Sequence, residues 1–331
     1  MSLGKHFLPL SLSLLLLCQA GLSQEPSKPT ESLPAIRVEV GLVSLTASVF
    51  DRSGRPVPDL EKSVFEIYED GVPQDIAVFQ KEDVPVSLGI LFDTSGSMVD
   101  KIEGVRDAVV HFIQTTNPAD DIFLMQFSAE VYLVQDFTAD RQVLAGAIGR
   151  LRPRGSTALY EAIVKGLIHV QKGRHKKKAL LVITDGNDTS SQITLEQAVD
   201  AALKSEVLIY CLGIGHGEHG SFGHVEALFK DTVDADVLLS FSNLTGGRTL
   251  LVQGSHYKRG VDQIDQACQS ISAELRRQYT LGYYPQNKTK DGKYRRIQVN
   301  VKSGKFKVRA RDGYFAVSAG DFPQPRPEGR F

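Results

Sequence analysis

The stretch Val86-Ser87-Leu88-Gly89-Ile90-Leu91-Phe92-Asp93-Thr94-Ser95-Gly96-Ser97-Met98 decides the reading of this chain. From Val86 to Phe92 it is almost wholly apolar, the pattern of a strand buried on both faces. That strand delivers Asp93, Ser95 and Ser97 to a turn, where Gly96 allows the backbone to bend tightly. Two later segments carry matching chemistry at strand ends or loops: Gly155-Ser156-Thr157 and Ile183-Thr184-Asp185-Gly186. Together Asp93, Ser95, Ser97, Thr157 and Asp185 offer only hard oxygen donors, with no His or Cys in the set. Donors of that kind point to Mg²⁺ or Mn²⁺ rather than zinc.

Two further runs, Ala179 to Ile183 and Val207 to Leu212, share the apolar character of Val86 to Phe92. Helical patterns lie between them. Ile102, Val105, Val109 and Phe112 fall on one face, as do Val143, Leu144, Ala147, Ile148 and Leu151. Thr157 is read as opening a third helix, with Ala158, Ala162, Val164 and Leu167 packing inward, and Thr194-Leu195-Glu196-Gln197 as the capping box of a fourth. Ile122 to Phe127 and Val131 to Val134 read as a hairpin at the sheet edge. Further on, Glu226 to Lys230 and Asp236 to Leu244 read as helices and Arg248 to Val252 as a last strand. A helical stripe then runs from Val261 through Ile264, Ala267, Cys268 and Ile271 to Leu275. Strand and helix in alternation predict an α/β fold with a doubly wound, mostly parallel sheet over residues 85–278. In such sheets ligands bind outside the carboxyl ends of the strands, where the Asp93 and Asp185 loops fall.

The flanks follow a different rule. Residues 36–84 alternate with period two, including Ile36, Val38, Val40 and Leu42, then Val43, Leu45, Ala47 and Val49. Phe65 to Tyr68, Glu69-Asp70-Gly71 and Ile76 to Phe79 read as strand, turn, strand. In residues 279–316, Tyr279 to Tyr284 reads as a strand. Ile297, Val299 and Val301 with Phe306, Val308 and Ala310 read as a hairpin about Ser303-Gly304. Neither flank alone is large enough for a firm core, so the two are expected to form one β-sandwich-like module in which the α/β domain is inserted. Two separate small sheets are the alternative.

Residues 1–23 read as a signal peptide: Lys5 and His6, the apolar run Leu8 to Leu17, and small residues at Ala20, Gly21 and Ser23. That run is too short to favour a spanning helix, and no transmembrane segment is expected elsewhere. Residues 24–35 read as a disordered linker and 317–331 as a disordered tail, so the expected location is exported, periplasmic or extracellular. A lipid anchor at Cys18 is disfavoured, because Leu17 stands where a lipoprotein box carries a small residue. Cys211 and Cys268 are expected as buried free thiols. In 331 residues the formal net charge is −1, and no aromatic-studded basic face appears, which argues against nucleic acid.

Asp93-x-Ser95-x-Ser97, Thr157 and Thr184-Asp185-Gly186 resemble the metal-ion-dependent adhesion site (MIDAS) of von Willebrand factor A domains, and all five positions are filled. The resemblance implies Ser95, Ser97 and Thr157 as direct ligands, Asp93 and Asp185 acting largely through water, and Mg²⁺ or Mn²⁺ as the ion. It also implies a protein partner that completes the coordination with an Asp or Glu. Ser156, Asn187 and Asp188 are candidates for the partner-binding rim. Gly54-Arg55-Pro56-Val57-Pro58, Tyr68 to Gln74 and Leu281-Gly282-Tyr283-Tyr284-Pro285 are similar to secreted VWFA-related proteins of acidobacteria, which implies the same architecture and export but no particular ligand.

Other readings compete. Ser97 as a helix cap and Asp185-Gly186 as a turn would need no metal. A hydrolase would use the ion to polarise a carbonyl or activate water, but no nucleophile–base pair or second general acid accompanies the motif, so no enzyme is expected. A structural scaffold with a vestigial metal site is the remaining alternative. His216-Gly217-Glu218-His219 with His224 matches no common zinc spacing, and Arg174 to Lys178 reads as a solvated basic connection.

Overall fold

The computed structural model describes residues 41–81, 83–185, 187–216, 234–254, 258–302 and 304–316. The expected signal peptide, linker and tail, the Ile36–Val40 alternation, the Glu226–Lys230 helix and His219 and His224 lie outside the described residues.

The N-terminal flank forms β1 (Val43–Phe50), β2 (Phe65–Glu69), β3 (Val72–Gln74) and β4 (Ile76–Gln80). The central region follows with β5 (Val86–Asp93), α1 (Ile102–Thr115), β6 (Asp121–Phe127), β7 (Val131–Thr138), α2 (Arg141–Gly149) and α3 (Leu159–Val170). It continues through β8 (Lys177–Thr184), α4 (Leu195–Ser205), β9 (Leu208–His216), α5 (Ala235–Thr245), β10 (Thr249–Gly254) and α6 (Lys258–Leu275). The C-terminal flank adds β11 (Tyr279–Tyr283), β12 (Tyr294–Val301), β13 (Lys307–Arg309) and β14 (Gly313–Phe315).

The central sheet has six strands in the order β10-β9-β8-β5-β6-β7, parallel throughout except for the edge strand β7. This is the mostly parallel α/β fold that the apolar runs predict. Every residue of β5 is buried, because helices cover both faces. Leu88, Ile90 and Phe92 pack with α1, α2 and α6 on one side, while Leu91 packs with α3, α4 and α5 on the other. Ile102, Val105, Val109 and Phe112 of α1 are buried as expected, and Thr194 closes a capping box with Gln197.

Two helix expectations change. Thr157 does not open α3, which starts at Leu159, because the Thr157 backbone is tied to another loop: its carbonyl accepts from the Thr189 and Ser190 amides. Val143 is 42% exposed, because the buried stripe of α2 runs through Leu144, Ala147 and Ile148 and leaves its neighbour facing solvent.

Each small sheet draws strands from both flanks, in the orders β13-β1-β11-β4 and β14-β12-β2-β3. Their inner faces share one core that includes Leu45, Val49, Phe65, Ile67, Tyr279, Leu281, Tyr283 and Ile297. The strand-turn-strand reading of the first flank gains a third strand, and the expected hairpin about Ser303-Gly304 is corrected. β2 turns into β3, and Ile76–Gln80 crosses to pair with β11 in the other sheet. Likewise β12 pairs with β2 and β14, and β13 pairs with β1. Alternation marks which face of a strand is buried but not which sheet it joins, and crossing lets successive strands feed both walls of one core.

The flanks meet the central region through buried polar groups. Glu274 of α6, 1% exposed, accepts from Ser48 Oγ of β1 at 3.0 Å, Tyr210 OH of β9 at 3.1 Å and Arg309 Nη1 of β13 at 2.9 Å. Backbone contact is close within the central region as well: a Cβ on Gly247 would lie 2.0 Å from the Ile209 carbonyl oxygen. Backbone cannot yield as a flexible side chain does, so Gly247→Ala is expected to destabilise the protein by more than about 2 kcal/mol in urea unfolding. Gly149→Ala, where a Cβ meets nothing within 4 Å at the end of α2, should be neutral or stabilising by up to about 1 kcal/mol.

Candidate functional site

β5 ends inside the protein, and its last residue is a carboxylate with no exposure. A buried carboxylate must be hydrogen-bonded or neutralised. Asp93 Oδ1 accepts the Ser95 amide at 2.8 Å, and Oδ2 accepts the Thr184 hydroxyl at 2.6 Å from the end of β8. The first bond folds the chain back on itself in an Asx-type turn, which leads into the short 3-10 turn Gly96–Met98. Burial is the main influence on Asp93 and pushes its carboxyl up to about 6; the Thr184 and Ser95 hydrogen bonds oppose the rise and the Asp185 charge adds to it.

That turn brings two of the three predicted hydroxyls together. Ser95 Oγ, buried, lies 3.0 Å from Ser97 Oγ, on an exposed residue, and Ser97 Oγ donates to Asp185 Oδ1 at 2.7 Å. Asp185 Oδ2 is paired with the Lys101 ammonium, and both side chains are buried. The third segment is held by backbone: the Gly96 amide donates to the Gly155 carbonyl at 2.9 Å. Gly155 takes φ +81°, so the left-handed residue of this site is Gly155 rather than Gly96. Thr157 is buried beside this contact, and its amide donates to Thr189 Oγ1 at 2.9 Å.

The three rim candidates differ in what they present. Ser156 and Asn187 are exposed, and Asn187 Oδ1 accepts the Asp234 amide at 2.6 Å. The Asp188 carboxylate is engaged within its own surroundings, by the Tyr160 amide at 3.2 Å and the Ser191 hydroxyl at 2.6 Å. Sequence reasoning missed Thr184 and Lys101 as members of the site. Thr184 stands next to Asp185 at a strand end, which was a usable signal, whereas Lys101 looks like any solvated helix-start lysine. Cys211 and Cys268 are buried free thiols, and burial pushes both up to about 12. Among the described residues no group of three or more His, Cys, Asp or Glu is arranged to hold a metal. No helix among them is long and apolar enough to cross a membrane.

The sequence profile of the von Willebrand factor type A domain matches residues 88–231. An uncharacterised protein of Borreliella burgdorferi is 27% identical over 194 residues, 52% of this chain and 56% of that protein. Inter alpha-trypsin inhibitor heavy chain 4 of Mus musculus is 25% identical over 156 residues, 41% of this chain and 17% of the mouse protein. The chain therefore matches only part of the length of these relatives. Among solved structures, the vWF domain of the type V pili tip protein Mfa5 from Porphyromonas gingivalis superposes with TM-score 0.44 and 13% identity, covering 59% of this chain and 97% of that one. The profile match begins at Leu88 within β5 and takes in all five candidate site residues. Residues 88–231 of this chain are a von Willebrand factor type A domain.

Proposed function

We propose that this chain is an exported, metal-dependent, non-enzymatic protein-binding module whose site takes an acidic side chain from a partner protein. Ser95, Ser97 and Thr157 would hold Mg²⁺ or Mn²⁺, with Asp93 and Asp185 behind them. The observation that carries this reading is the placing of the two serines. Their hydroxyl oxygens stand 3.0 Å apart, and adjacent ligands of an octahedral ion at about 2.1 Å would stand about 3.0 Å apart. When bound, the ion would supply an electrophilic position that a carboxylate can fill.

The chain's own residues perform the rest. Asp93 orients Ser95 through the Ser95 amide, and Asp185 orients Ser97 by accepting its hydroxyl proton, which leaves the serine oxygen lone pairs for a cation. The Gly96–Gly155 bond brings the Thr157 segment to the same turn. Exposed Ser156 and Asn187 stand on the loops beside it, where a partner would be read. Export rests on the N-terminal sequence pattern.

Calorimetric titration with Mn²⁺ tests the metal: the parent should bind weakly, and Thr157→Ala should lose at least about tenfold in affinity while keeping its thermal unfolding profile. Equal binding by the two proteins, or none by a folded parent, would overturn the reading. A peptide carrying a central Glu should then bind in Mg²⁺ but not in chelator, and its Gln counterpart in neither.

The pH dependence of stability in chelator supplies a second check. Asp93 holds its proton up to about 6 when folded and only to about 3.9 when unfolded, so its stabilising contribution is complete below about pH 3.9 and disappears as pH rises through 6. Unfolding free energies measured from pH 4 to 7 should fall by up to about 3 kcal/mol more in the parent than in Asp93→Asn.

A further inference from the structure

Lys101 is an unusual residue to find against this site. It is the N-cap of α1, where the helix dipole disfavours a cation, and its side chain makes no capping bond. Only 8% of it is exposed, and its ammonium pairs with a carboxylate whose side chain has no exposure at all. Its backbone is fixed on both sides: its amide donates to the Met98 carbonyl at 3.0 Å, and its own carbonyl accepts from Val105 at 3.1 Å. The ammonium therefore sits on Asp185, whose other oxygen holds Ser97.

We propose that Lys101 is a built-in counter-cation that weakens divalent-ion binding on its own and so couples it to the arrival of a partner carboxylate. The inference rests on the metal-binding reading above. With Asp93 and Asp185 ionised, the two carboxylates and the Lys101 ammonium sum to one negative charge. A divalent ion carries that sum to one positive charge, which is costly where little water reaches. A single carboxylate from a partner returns it to zero. Without Lys101 the ion alone would already neutralise the two aspartates, and a partner carboxylate would add a negative excess. The lysine thus disfavours the half-assembled state and favours the complete one, in which ion and acidic side chain are both present.

The test uses the full chain, Mn²⁺ as the ion and acetate as the carboxylate probe. Lys101→Met should bind Mn²⁺ at least about tenfold more tightly than the parent in chloride, while Lys101→Arg, which keeps the charge, should stay within about threefold of the parent. Acetate should tighten Mn²⁺ binding to the parent and to Lys101→Arg more than to Lys101→Met. In chelator, Lys101→Met should melt below the parent, and Mn²⁺ should raise its melting temperature by more than it raises the parent's. If Lys101→Met does not fold, Lys101→Gln, which keeps a donor towards Asp185 without the charge, provides the same comparison. Equal or weaker Mn²⁺ binding by the neutral variants, with binding in the parent intact, would overturn the role of Lys101 and leave the metal site standing. Absence of Mn²⁺ binding in every protein would overturn both.

Discussion

A carboxylate at the end of a fully buried strand is the constraint on which this site is built. Asp93 has no exposure, so its two oxygens must find donors within the protein. The Ser95 amide is one, and taking it forces the tight return of the chain that sets Ser95 and Ser97 side by side. The Thr184 hydroxyl is the other, and taking it ties the ends of two adjacent parallel strands, so that Asp185 follows within reach of Ser97. Satisfying one buried group thus assembles most of the site before any ligand is considered. Satisfaction is not full compensation, since burial still raises the proton affinity of Asp93.

The order of residues along the chain made much of this legible. Strands that are apolar on both faces announced a parallel sheet covered by helices, and the oxygen donors fell at the carboxyl ends of β5 and β8, where such sheets bind ligands. Two kinds of information were not local enough to read. Lys101 belongs to the site only because the turn after Asp93 carries it inward, and nothing in its sequence neighbours marks a lysine as buried. Phe306, Val308 and Ala310 alternate as a strand should, but alternation does not say whether the partner is β12, next in the chain, or β1, far back in it. The larger gain from filling both walls of one core decided for β1.

The same long-range choice explains how a large α/β region is carried without disturbing the small sheets. β4 and β11 are paired, and Gln80 stands opposite Thr280. The chain leaves the small sheets at one member of a strand pair and re-enters them at the other, so nothing between Gln80 and Thr280 has to bridge a gap in the sandwich. Glu274, on the helix that leads back to β11, receives bonds from Ser48 and Arg309 of the flanks and from Tyr210 of the central sheet, which ties the connection down at the point of return.

That attachment also determines which end of the central sheet stays clear. Arg309 of β13 donates to the Gly247 carbonyl at 3.2 Å, just before β10, and Arg311 donates to the Glu206 carboxylate at 2.8 Å, just before β9. These contacts all involve the amino ends of the parallel strands. Asp93 and Thr184 are the last residues of theirs. Attachment and candidate site therefore lie at opposite ends of the same sheet, a strand's length apart, roughly 25 Å for eight residues. A fold that met its flanks at the carboxyl ends would have buried Ser97 and Ser156, which are exposed. Anchoring through the amino ends leaves those residues open to solvent above the buried carboxylates.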